Sequence, residues 1–161
     1  MTVIVNQDIS TVYLYPATLV AEKTQQIIHT ILGSCVSVCL FDPVQKIGGI
    51  NHYMLPYWNG DGLASPKFGN IAIIRLTEKM INLGSKKERL IAKVFGGGAV
   101  IDTSHPTFNI GEKNILIAFD ILEELRIPIV SQSTGGKFGR KIIFNTSTGE
   151  VIQRYVKNEK A

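Results

Sequence analysis

The sequence predicts an α+β fold, a mixed or antiparallel β-sheet core flanked by two main helices. Three observations predict it. Many short runs rich in Ile, Val and Phe have strand length and end in Gly, Pro, Asn or Asp turn signals. Only two segments carry apolar residues at helical spacing. Two pairs of strand-like runs, around Asp42-Pro43 and Asn145-Thr146-Ser147-Thr148-Gly149, are joined closely enough to be hairpins.

Residues 1–24 are weakly patterned, with Val12-Tyr13-Leu14-Tyr15 stopped by Pro16. Gln26 to Ile31 reads as a buried strand that runs into a Leu32-Gly33-Ser34 turn. The next two runs, Cys35 to Phe41 and Gly48 to Leu55, form a hairpin about Asp42-Pro43-Val44-Gln45. Closed over that turn, the hairpin sets Cys35 directly opposite His52, on one face, with Cβ atoms roughly 4.5–5.5 Å apart. A slip of one residue would separate them to opposite faces, whereas a slip of two keeps the face and makes the pair diagonal. The polar loop Tyr57 to Pro66 leaves from the His52 strand, with Trp58 as its large anchor, either a packing plug or a contact residue.

Asn70 to Asn82 is a helix with Ile73, Leu76, Thr77, Met80 and Leu83 on one stripe and Gly84 as its stop. Arg89 to Phe95 is a strand that ends in Gly96-Gly97-Gly98. A second helix starts near Asn109 or Ile110, buries Ile115, Ala118, Phe119 and Leu122, and stops before Pro128. Ile127 to Val130, Arg140 to Phe144 and Glu150 to Tyr155 complete the strands, and Lys157 to Ala161 is a frayed tail.

The 161 residues are read as a single domain, 1–161. With 45% hydrophobic and 19% charged residues the chain belongs with ordinary globular proteins, not disordered or fibrous ones. A net charge of +4 suits an acidic protein as well as a nucleic acid, and the run Lys86-Lys87-Glu88-Arg89 reads as a solvated face. The start lacks a basic leader and no apolar stretch nears the ~20 residues that span a bilayer. Cys35 and Cys39, four apart on a strand, are too distant for a disulfide, which fits a reducing cytoplasm.

Cys35 is the leading candidate for chemistry. A thiol is a strong nucleophile once a neighbouring imidazole raises its thiolate fraction, and the Gly33-Ser34 turn places this one at a strand end where backbone N–H groups are free. The alternative is a small hydrophobe in an apolar strand, which is the reading for Cys39. His52 is either a hydrogen-bonded core residue or the partner of Cys35. His29 is a possible supporting residue, and His105 a loop histidine. Neither Gly96-Gly97-Gly98 nor Gly135-Gly136-Lys137 continues as a Walker A loop, so both serve close backbone approach. A zinc site from Cys35, Cys39, His29 and His52 fails on the cysteine spacing; neither a metal nor another cofactor is expected.

Five spaced motifs together resemble the CheD family of chemoreceptor glutamine deamidases. They are Leu32-Gly33-Ser34-Cys35-Val36, Gly48-Gly49-Ile50-Asn51-His52-Tyr53-Met54-Leu55-Pro56, Lys93-Val94-Phe95-Gly96-Gly97-Gly98, Ile110-Gly111-Glu112-Lys113-Asn114 and Gly135-Gly136-Lys137-Phe138-Gly139-Arg140, and the match runs from about residue 26 to 152. The resemblance implies two packed sheets like the catalytic core of the cytotoxic-necrotizing-factor deamidases. It implies a cysteine hydrolase that turns receptor glutamine into glutamate, with Cys35 as nucleophile and His52 as its histidine. The family's third catalytic residue, a threonine, would fall at His29, with Thr30 one later, so Thr30 or His29 orients His52. Chemoreceptors are the implied substrate and a CheC-type phosphatase the implied regulatory partner. No nucleic acid, no membrane insertion and a monomeric state are expected. In the mechanism these residues suggest, N–H groups near Gly33, Ser34 and Cys35 hold the oxyanion. The competing reading is a binding module that keeps the fold and docks a phosphatase or receptor without catalysis.

Overall fold

Alternation of side chains along each strand decides the layers of this protein, a computed structural model that describes residues 9–99 and 109–157. His105 lies outside the described residues. Among the described residues nine strands and two α-helices follow in order: β1 (Ser10–Tyr13), β2 (Thr18–Glu22), β3 (Gln26–Leu32), β4 (Val36–Asp42), β5 (Ile47–His52), α1 (Gly69–Asn82), β6 (Ile91–Gly96), α2 (Ile110–Glu124), β7 (Ile129–Thr134), β8 (Gly139–Asn145) and β9 (Val151–Val156). One sheet has the order β1-β3-β8-β9 and the other β2-β5-β4-β6-β7. Both are mixed, since β1 runs parallel to β3 and β7 parallel to β6 while the other pairs are antiparallel. The α+β class with two sheets and two helices is therefore as expected.

β4 is buried at every position, and it serves two cores at once. Val36, Val38 and Leu40 face the helices and pack with Ala72, Leu76, Ile117 and Leu122. Cys39 points the other way, with Ile50, into a second core against Ile28, Leu32, Ile142 and Phe144 of the first sheet. Three layers result: sheet, sheet, helices. Cys35 packs at the margin of the inter-sheet core.

The hairpin register differs from the expected one. Asp42 pairs with Ile47 and Cys39 with Ile50, and a bridge joins Val36 to Tyr53. The turn is longer because the Asp42 carboxylate accepts from the N–H groups of Val44 (2.9 Å) and Gln45 (3.2 Å) while its carbonyl accepts from Lys46 N–H (2.8 Å). That Asx geometry extends the loop to Lys46, which takes φ 55°. Ser37 thus lies opposite His52, and Cys35 is diagonal to it. The two-residue shift keeps both side chains on the inter-sheet face.

The weakly patterned start holds two short edge strands, β1 and β2. The helix expectations hold closely: Gly84 ends α1 with φ 113°, and Asn109 caps α2 by accepting from Glu112 N–H.

Candidate active site

β3 and β5 belong to different sheets, yet their side chains meet across the inter-sheet core. Thr30 Oγ1 lies 2.7 Å from His52 Nδ1 and 2.8 Å from the Leu14 carbonyl oxygen. A hydroxyl has one proton, and the carbonyl can only accept, so that proton goes to Leu14. Thr30 must then accept from His52, which places the ring hydrogen on Nδ1 and leaves the Nε2 lone pair available. Both residues are buried, His52 being 2% exposed. Next to Thr30 in β3, His29 projects from the opposite face, in register with Ile143 and Tyr13. The position that meets His52 is Thr30.

Cys35 sits just before β4, half-buried, and its thiol is free, as is that of buried Cys39. The turn that carries it is held from one flank. Gly98 N–H donates to Gly33 O (2.9 Å), Asn114 Nδ2 to Ser34 O (3.0 Å) and Gly97 N–H to Cys35 O (2.9 Å). In a planar trans peptide the N–H points away from the preceding carbonyl. Pinning the Gly33 and Ser34 carbonyls on the α2 side turns the N–H groups of Ser34 and Cys35 the other way. Among the described residues neither has a hydrogen-bond partner outside Cys35 itself, so both are available as donors. The Cys35 N–H also lies near its own sulfur, where it favours the thiolate.

The triple glycine is required here for a specific reason. Gly96 has φ +109°, and a Cβ on it would collide with the Cys35 carbonyl oxygen. Gly135 N–H in turn donates to Gly96 O, and Ala99 N–H to Gly136 O (2.9 and 2.8 Å). The buried Arg140 guanidinium donates to the carbonyls of Ser133 and Gly135, so the second glycine segment braces the first.

Burial governs the electrostatics. It pushes the Cys35 thiol up, opposed by its own N–H, and it lowers His52 to about 4. Cys39, fully enclosed, is driven much higher. At neutral pH the resting pair is a thiol and a neutral imidazole. The ring's hydrogen bond is to Thr30, and none joins it to Cys35. Diagonal strand neighbours stand ~7–8 Å apart, a span a long aromatic ring can bridge. The arrangement suits general-base activation of a thiol during attack, beside donors for an oxyanion.

The Trp58 loop packs on itself: Trp58 is half-buried and its indole N–H donates to Asp61 O (3.1 Å). Its neighbour Tyr57 lines a groove of about 660 Å³ between α1 and α2 with Ile74, Ile117 and Ile121, on the other side of the second sheet from Cys39 and Ile50. Asn114 entered the sequence reading only as the last residue of the Ile110-Gly111-Glu112-Lys113-Asn114 motif, with no role of its own.

The family model described as "CheD chemotactic sensory transduction" matches residues 54–155. A protein of Trichlorobacter lovleyi named "Probable chemoreceptor glutamine deamidase CheD" is 50% identical over 140 residues, 87% of each chain. One of the same name from Sulfurimonas denitrificans is 47% identical over 150 residues, 89% of this chain and 93% of that one. A much weaker likeness, at 16% identity and a TM-score of 0.45, relates 66% of this chain to 46% of the Bacillus licheniformis hypothetical protein YfiH; the chain thus spans less than half the length of that protein.

Proposed function

The chain belongs to the CheD family, and we propose that it deamidates glutamine side chains of chemoreceptors through a Cys35 thioester, with His52 as acid–base and Thr30 as its orienting partner. The observation that carries this is the Thr30–His52 contact of 2.7 Å, because the proton count behind it leaves Nε2 as a base on the face that Cys35 shares.

In the first step Cys35 Sγ attacks the carboxamide carbon while its proton passes to His52 Nε2. The oxygen takes the negative charge and is held by the N–H groups of Ser34 and Cys35, with Gly33 shaping the turn. As the tetrahedral intermediate collapses, His52 gives that proton to the departing nitrogen and ammonia leaves. Water then enters, loses a proton to His52 and attacks the thioester carbonyl. The second collapse breaks the C–S bond, returns the proton to sulfur and yields glutamate. No cofactor takes part.

The two sheets and two helices act as one domain over residues 1–161, as a monomer in the cytoplasm, where the unpaired Cys35 and Cys39 match a reducing compartment. A CheC-type phosphatase as regulatory partner rests on the family resemblance alone, and a pull-down with purified phosphatase tests it. For the reaction itself, receptor is incubated with wild type and with Cys35→Ala. Receptor glutamines acquire the mass of glutamate with wild type only; equal conversion by the variant would refute the assignment.

A further inference from the structure

Asn114 is fully buried on the apolar stripe of α2. Its Nδ2 uses both hydrogens, donating to Ser34 O and to Met54 O at 3.0 Å each, while Oδ1 has no partner among the described residues. The reverse amide orientation would set Oδ1 against two carbonyl oxygens, so the side chain is fixed as a double donor. Its own backbone carbonyl accepts from Tyr53 O–H at 2.5 Å. Ser34 immediately precedes Cys35, and Met54 follows the end of the His52 strand. One carboxamide therefore spans the two segments that carry the thiol and the imidazole.

An unpartnered buried acceptor is a cost that an apolar residue at the same place on the stripe would avoid. We propose that Asn114 is a positioning residue: it turns the Ser34–Cys35 peptide so that the Cys35 N–H faces the sulfur and the developing oxyanion, and it locks that peptide to the His52 strand. This rests on the reading of Cys35 as nucleophile and assigns a role beyond it. Asn114 touches neither the thiol nor the imidazole, and it acts through backbone.

Two variants test it. N114A removes the side chain, and N114L keeps its branched four-atom skeleton, with more bulk and no donors, so packing loss and donor loss are separated. In a folded variant, receptor deamidation falls about 10- to 100-fold in kcat while KM stays within about twofold, as expected when oxyanion donors are misplaced. Independently of any turnover, the pH profile of Cys35 alkylation by iodoacetamide moves to higher pH, because the thiolate loses its backbone donor. A folded N114L with wild-type kcat, or with an unmoved alkylation profile, overturns the proposal. If wild-type protein fails to deamidate receptor, the functional reading falls, and the alkylation profile still decides the role of Asn114.

Discussion

Replacing Thr30 by Val removes one oxygen and keeps the branched shape, so it isolates what that oxygen does. Two buried groups lose a partner: the His52 Nδ1–H, at 2.7 Å, and the Leu14 carbonyl, at 2.8 Å. Each unsatisfied group costs about 1–3 kcal/mol, and the inter-sheet core offers little room for relaxation. The two together, about 2–6 kcal/mol, would lower the melting temperature by roughly 4–24 °C at the ~2–4 °C per kcal/mol expected for a chain of this size. The catalytic effect is separate. Without the acceptor, the ring hydrogen moves freely between Nδ1 and Nε2, and only the first tautomer is a base toward sulfur. A hydrogen bond worth about 1.4–2.8 kcal/mol of tautomer and orientation control corresponds to a 10- to 100-fold loss of kcat. Thr30→Ser keeps both bonds and should stay within a few-fold of wild type. Initial rates of ammonia release from purified receptor, with melting curves alongside, give both quantities. A folded T30V with kcat within twofold of wild type would show that the contact plays no part in catalysis.

Acid should weaken this protein through His52. Its pKa is about 4 in the fold against an ordinary 6.5, so between those values the unfolded chain binds the extra proton and stability falls as pH drops, by roughly 3 kcal/mol at most; urea midpoints at pH 7 and pH 4.5 should converge in His52→Asn and diverge in wild type. The acid limb of kcat/KM should likewise sit near pH 4, not near 6.5, and a limb at the higher value would contradict a buried neutral base. Iodoacetamide should modify Cys35 and spare Cys39 in native protein, since Cys39 is enclosed and its thiol driven far upward; peptide mapping that finds both labelled at equal rates would refute the burial assignment. Gly96→Ala forces a Cβ onto the Cys35 carbonyl at a φ of +109°, which costs about 1–3 kcal/mol from backbone strain alone, and deamidation should fall more than stability does; an unaffected kcat would remove the triple glycine from the account.

Periodicity made much of this legible. α1 and α2 appeared with their boundaries nearly right because apolar stripes and a glycine stop are local signals. The face shared by Cys35 and His52 was legible too, since alternation survives a shift of two residues. The register itself was not, because the Asp42 side chain competes for the turn N–H groups and lengthens the loop. β1 and β2 escaped notice as short edge strands whose pairing is set by distant partners. The choice between Thr30 and His29 needed the inter-sheet geometry, since neighbouring residues in a strand differ only in the face they present. Asn114 was hardest: its partners, Ser34 and Met54, lie far away in sequence and are contacted through backbone carbonyls that no residue pattern encodes.

Acid quenching of the wild-type protein during turnover of a receptor substrate, followed by peptide mapping, asks whether the glutaminyl carbon becomes bonded to sulfur. The account predicts a receptor fragment joined as a thioester to the peptide that holds Cys35 in the wild type, and no such adduct in His52 variants, which lack the base that takes the thiol proton. An adduct on any other residue, or full deamidation by Cys35→Ala, would contradict it.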